Sequence, residues 1–136
     1  MSDGFVFIEP NAHLTPAEVD LCFNRLSNEI AEASRALVKA RDRELEARTI
    51  YEKGRDRLLL SDARPRVGRS KGDITVDERE AWIRSRIGDE FWIYETTKVD
   101  RENAESYTWA LKDQIRIVQS LGVTARQAFE GSGRTR

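Results

Sequence analysis

Apolar residues recur at steps of three and four, or sums of these, along two long stretches of the chain. In the first, Val19, Cys22, Leu26, Ile30, Ala33, Leu37, Ala40, Ala47, Tyr51 and Leu58 keep to one face. That spacing predicts the seam of a coiled-coil-like helix, with one extra step of four between Cys22 and Ile30. In the second stretch Ile83, Ile87, Phe91, Tyr94, Ala104, Leu111, Ile115, Val118 and Leu121 do the same. Each opens on a capping box. Thr15-Pro16-Ala17-Glu18 places Thr15 at the N-cap, Pro16 at the first helical position and Glu18 within reach of the cap. Thr75-Val76-Asp77-Glu78 repeats the signal, and its two acids suit the positive end of the helix dipole. Gly122 marks the expected end of the second helix.

Between the two lies Ala63-Arg64-Pro65-Arg66-Val67-Gly68-Arg69-Ser70-Lys71-Gly72-Asp73, with one proline, two glycines and few apolar side chains. Proline lacks an amide donor and glycine loses entropy in a helix, so no regular element should cross it. A connection this short favours antiparallel packing. The expected fold is therefore all-α: a long antiparallel two-helix hairpin, coiled-coil-like, with an N-terminal arm and a short C-terminal helix. The arm takes residues 1–14, the hairpin 15–122 with its turn at 63–74, and the short helix and a disordered tail 123–136. At 1.5 Å per residue each long helix would run about 65 Å.

Within the hairpin, Glu44 falls on the seam and can pair with Arg48 one turn on. Gly54 weakens the far part of the first helix by about 1 kcal/mol relative to alanine. Reflecting the chain about Gly68 sets the polar stretch Glu95–Asn103 against Ala33–Arg41, where small side chains leave room for long stems. In the arm, Phe5-Val6-Phe7-Ile8 is too short to stand alone and Pro10 stops it. It should lie extended on a hydrophobic groove of the body, or reach a neighbouring subunit.

Two paired helices bury one stripe each, and this chain has more apolar surface than that. Trp92, Val99, Ala110 and Ile117 fall in a second line, Phe23, Val38, Leu45 and Leu59 in a looser one, and Trp82 and Trp109 also lie off the seam. Leaving large aromatics in water forgoes about 1.5–3 kcal/mol apiece. The expectation is a homo-oligomer. The alternative is a monomer whose termini, including Val123–Glu130, cover the second line.

Composition narrows the function. Charged residues make up 35% of the 136, the net charge is −1 and there is a single cysteine and a single histidine. Cys22 sits at a core-type position and reads as a small hydrophobe; His13 has no companions for a metal site. No apolar run approaches the length of a membrane span, so a soluble cytoplasmic protein is expected. The acids alternate with Lys and Arg as on a solvated helix face, and Gly68-Arg69-Ser70-Lys71-Gly72 lacks the order of a phosphate-binding P-loop. No catalytic residue, metal or cofactor is expected, and the chain is not expected to be an enzyme. Charge is nevertheless uneven. Lys53, Arg55, Arg57, Arg64, Arg66, Arg69 and Lys71 face only Asp56 and Asp62 between positions 53 and 71, a local excess of five positive charges. These seven are the candidate DNA contacts. No aromatic in the turn can stack on bases, so contact would be with the backbone, without sequence readout.

The order of parts resembles the UvsY-type recombination mediators of tailed phages. The long first helix carries Leu37-Val38-Lys39-Ala40 and Ile50-Tyr51-Glu52-Lys53-Gly54-Arg55, and a polar connection follows. The second holds Tyr107-Thr108-Trp109-Ala110-Leu111 and closes on Gln119-Ser120-Leu121-Gly122-Val123-Thr124-Ala125-Arg126-Gln127-Ala128-Phe129-Glu130-Gly131. The resemblance implies a ring-like homo-oligomer that binds single-stranded DNA and helps load a RecA-like recombinase. It also implies that the closing segment assembles, through Val123 and Phe129. The candidate assembly surface is thus Trp92, Val99, Trp109, Ile117, Val123 and Phe129. The rival expectation is a protein-interaction or scaffold module, docking a host or phage protein through the same tryptophans.

Overall fold

The structure, a computed structural model, describes residues 4–134. It is all-helical, with α1 at Pro16–Leu59, α2 at Val76–Arg86 and α3 at Gly88–Arg134. The described residues fall into two compact units, through both of which α1 and α3 run. One comprises the chain up to Val38 with the chain from Asn103 on; the other is Lys39–Glu102.

In the first unit the core is Val19, Leu26 and Ala33 of α1 against Leu111, Val118 and Ala125 of α3. Thr15 opens α1 as expected: its hydroxyl accepts from the Glu18 amide at 3.2 Å while its own amide donates to the Glu18 carboxylate at 3.3 Å. The arm lies on this unit, with Phe5, Ile8 and Leu14 packed against the core. One polar side chain fixes it. The Gln114 carboxamide, only 5% exposed, accepts from the Ile8 amide at 3.0 Å and donates to the Ile8 carbonyl at 3.3 Å. An extended segment thus satisfies its backbone on a helix that has no sheet edge to offer.

The second unit packs the rest of α1 against α2 and the start of α3. Ala40, Ala47 and Ile83 are buried. Tyr51 stacks at an angle on Phe91 and Tyr94, with ring centroids 5.8 and 5.7 Å away. Thr75 caps α2 by accepting from the Glu78 amide at 3.2 Å. Every seam position named from the sequence is buried or half-buried in its unit.

Several expectations are corrected. The second helix is not continuous. It breaks at Ile87, whose backbone leaves the helical region (φ −126°, ψ 42°) just before Gly88, while its methyls lie close beneath Gly54 of α1. Gly122 does not end α3. It is buried in mid-helix, and a Cβ there would stand 3.2 Å from a Val19 methyl, so glycine serves close packing rather than termination. In consequence there is no separate short C-terminal helix, and 131–134 of the expected disordered tail are helical; residues 135–136 lie outside those described. Glu44 does not pair with Arg48. It takes Arg101 of α3, with Nε 2.6 Å from Oε2, while Arg48 bonds Glu52 at 3.0 Å. The register therefore departs from simple reflection about Gly68, which had set Arg101 opposite the Ala33–Arg41 stretch.

Candidate nucleic-acid interface

The loop at 60–75 is ordered by its own backbone. The Ile74 amide donates to the Arg66 carbonyl at 2.9 Å and the Gly68 amide to the Ile74 carbonyl at 3.3 Å, a single parallel bridge between Val67 and Ile74. The Asp73 carboxylate accepts from the Ser70 amide at 3.1 Å, and the Asp73 amide donates to the Ser70 carbonyl at 3.0 Å. Gly72 turns the chain at φ +89°, a region that disfavours any side chain. A Cβ on Gly68 would run into the Asp73 carboxylate. Arg69 and Lys71 therefore project from a defined turn.

The seven expected cations divide by what they touch. Arg55 is committed within the fold: it forms a two-pronged ion pair with Glu80 of α2, both side chains about a quarter exposed. That pairing pushes the arginine further above its ordinary range and holds the Glu80 carboxyl below the usual carboxylate range. Arg55 thus ties α1 to α2 and is a poor candidate for DNA. Arg64 donates to the Leu59 carbonyl at 2.8 Å, satisfying one of the orphan acceptors at the end of α1. Lys53, Arg57, Arg66, Arg69 and Lys71 are exposed, and their side chains have no hydrogen-bond or ion-pair partner among the described residues. Five cations are free for phosphate. Sequence reasoning passed over a further cation beside the loop, Arg79 in the first turns of α2, which stands apart from these five and lines a pocket together with Arg64 and Arg66. Its signal was hidden because Arg79 alternates with Asp77, Glu78 and Glu80 along the helix.

The candidate assembly residues stand as follows. Trp92 is 68% exposed and Val99 is exposed, both in the second unit. Trp109, Val123 and Phe129 are exposed in the first unit, Trp109 by 66%, while Ile117 is half-buried. Trp109 is partly shielded by the Lys112 ammonium, 5.1 Å from its ring centre. Of the other off-seam residues, Trp82 is half-buried beside the Arg86 guanidinium and Phe23 packs against the core, whereas Val38 and Leu45 are exposed. Within the first unit the arm and the closing segment leave Trp109 uncovered.

Among the described residues no group of three or more His, Cys, Asp or Glu could hold a metal ion, and no helix is long and apolar enough to cross a membrane. His13 is exposed, and Cys22 is half-buried against the core of its unit. Compared with protein-family models, curated proteins and solved structures, the chain matches none.

Proposed function

We propose that this protein is a non-enzymatic, self-associating accessory protein of phage type that holds single-stranded DNA by its phosphates and assists recombination or replication in the cytoplasm. The observation that carries the reading is the ordered loop with its neighbours, where Lys53, Arg57, Arg66, Arg69 and Lys71 are exposed and free of partners. Cations held on a defined backbone and left without carboxylates suit a polyanion whose charges repeat along a strand. The lack of an aromatic in the loop fits contact without base readout. Help in loading a RecA-like recombinase comes from the resemblance to the UvsY-type mediators. Self-association rests on the exposed apolar side chains of each unit, which exceed what isolated surface residues need explain.

Two measurements test it. The mass in solution by light scattering should be a multiple of 15.6 kDa, and Trp92→Ser with Trp109→Ser should lower it. Fluorescence anisotropy should find oligonucleotide binding that weakens when Arg66, Arg69 and Lys71 become alanine. A monomer that binds no strand at low salt disposes of the proposal.

A second reading is favoured by the exposure of Trp92 and Trp109: a scaffold module whose tryptophans dock another protein. It expects the tryptophan variants to lose that partner and the loop variants to keep it.

A further inference from the structure

A pocket of about 510 Å³ opens beside the loop, lined by Leu59, Arg64, Pro65, Arg66, Val67 and Arg79. Half of its lining is arginine, and no carboxylate belongs to it. Arg79 is weakly neutralised. Its nearest carboxylate oxygen is Glu80 Oε1, 3.7 Å from Nη2, and both Glu80 oxygens already accept from Arg55. The Arg79 Nε is buried and has no acceptor among the described residues, an uncompensated cost in the folded chain. Arg64 spends one of its five N–H groups on the Leu59 carbonyl and keeps the others.

We infer that this pocket is a binding site for a terminal phosphate group, held between Arg64, Arg66 and Arg79, with Leu59, Pro65 and Val67 as the apolar wall beside it. The charge decides between anions. One guanidinium fork saturates a carboxylate, whereas a phosphate monoester carries about −1.5 to −2 charges and three strong acceptor oxygens. Three arginines lining one pocket match the monoester better than an internal phosphodiester, which brings a single charge. The volume lies within the usual range for small-ligand sites, so the group attached to the phosphate has room against the wall. The source of the monoester is either the phosphorylated end of a strand or a free nucleotide. The strand end rests on the nucleic-acid reading above, while the free nucleotide does not.

The test uses the full chain at fixed ionic strength. Binding is measured by calorimetry to inorganic phosphate, to a nucleoside monophosphate, and to one oligonucleotide ending in phosphate or in hydroxyl. If the strand end is the ligand, the phosphorylated oligonucleotide binds about tenfold tighter, the worth of one charge-assisted hydrogen bond. Arg79→Gln then abolishes that preference and leaves binding of the hydroxyl-ended strand unchanged. Arg64→Gln, whose side chain is exposed, should lose the preference as well, which keeps the test open should Arg79→Gln misfold. Saturable binding of the mononucleotide or of phosphate, lost in Arg79→Gln, with no preference between oligonucleotides, supports the pocket and assigns it a free ligand. Phosphate binding with no oligonucleotide binding at all sinks the nucleic-acid reading and leaves the pocket standing. Equal binding of both oligonucleotides with no response to phosphate or mononucleotide overturns the inference, as does a phosphate preference that survives both variants.

Discussion

Replacing Arg66, Arg69 and Lys71 together by alanine should flatten the salt dependence of single-strand binding by a calculable amount. All three are exposed, and what orders the loop is its backbone with Asp73, so the fold should survive and far-ultraviolet circular dichroism should not change. Each phosphate neutralised on a single strand contributes about −0.7 to the slope of log K against log salt. The five partnerless cations then give the parent a slope of about −3.5, and the two left in the variant about −1.4. Between about 50 and 200 mM salt the parent should lose roughly a hundredfold in affinity and the variant only about sevenfold. Arg55 is excluded from the count because Glu80 holds it, so Arg55→Met should leave the slope where it was. The assay is anisotropy of a labelled, hydroxyl-ended oligonucleotide at several salt concentrations. A parent slope near zero, or a variant slope equal to the parent's, would refute the reasoning; a large change on losing Arg55 would refute the division of the cations.

Three further outcomes follow from the packing and the titrating groups. Gly54→Ala should stabilise the chain by up to about 1 kcal/mol in urea unfolding, since helix propensity favours alanine and its Cβ would meet the Ile87 methyls at an ordinary 3.5 Å. Gly122→Ala should gain no such benefit and should destabilise, because its Cβ would stand 3.2 Å from Val19 in a packed core. Glu80 has its folded pKa lowered from the ordinary 4.5, first by its hydrogen bond to Arg55, so its contribution is complete above that value and is lost as the pH falls through the folded pKa. Unfolding followed from neutral pH downward should show Glu80→Gln less stable at pH 7 and with a shallower acid loss than the parent. Tyr107, pushed up to about 12 by burial and by donating to the Glu29 carboxylate at 2.7 Å, should ionise late in an alkaline titration. Its stabilisation persists below pH 10 and fades as the pH rises through its folded pKa; in Glu29→Gln the late tyrosinate absorbance should move to lower pH.

Periodicity made the helices legible because each seam residue answers to the same requirement, a partner across the interface, and spacing alone encodes that. Glycine was not legible in the same way, because one residue type answers to two requirements. Gly72 supplies a positive φ that the turn needs, which sequence context suggests. Gly122 supplies closeness to Val19, which depends on a residue more than a hundred positions away and leaves no local mark. Read as a stop, it led to a separate closing helix that does not exist. The break at Ile87 was hidden for the converse reason, since the apolar spacing passes through it undisturbed and only Gly88 signals it. Gln114 illustrates a third case. A glutamine three residues after Leu111 and four before Val118 is buried at core spacing, and nothing local shows that its carboxamide bonds the backbone of Ile8, more than a hundred positions away.

Charge was legible as a total and misleading as a distribution. Seven cations between 53 and 71 were a true excess, yet the ion pair of Arg55 with Glu80 and the bond of Arg64 to Leu59 show that part of the excess holds the ends of the loop together. Both precede Arg66, Arg69 and Lys71 in the chain, and the partner of Arg55, Glu80, follows them. A loop pinned in this way carries Arg66, Arg69 and Lys71 within six residues, all three exposed and none in an ion pair among the described residues. Stability alone would favour acids among them, and Arg79, whose neighbour Glu80 is already held by Arg55, adds to the same imbalance from the helix side. Local rules that fail together at one place, while every seam position obeys its own, mark where the proposed anion would bind.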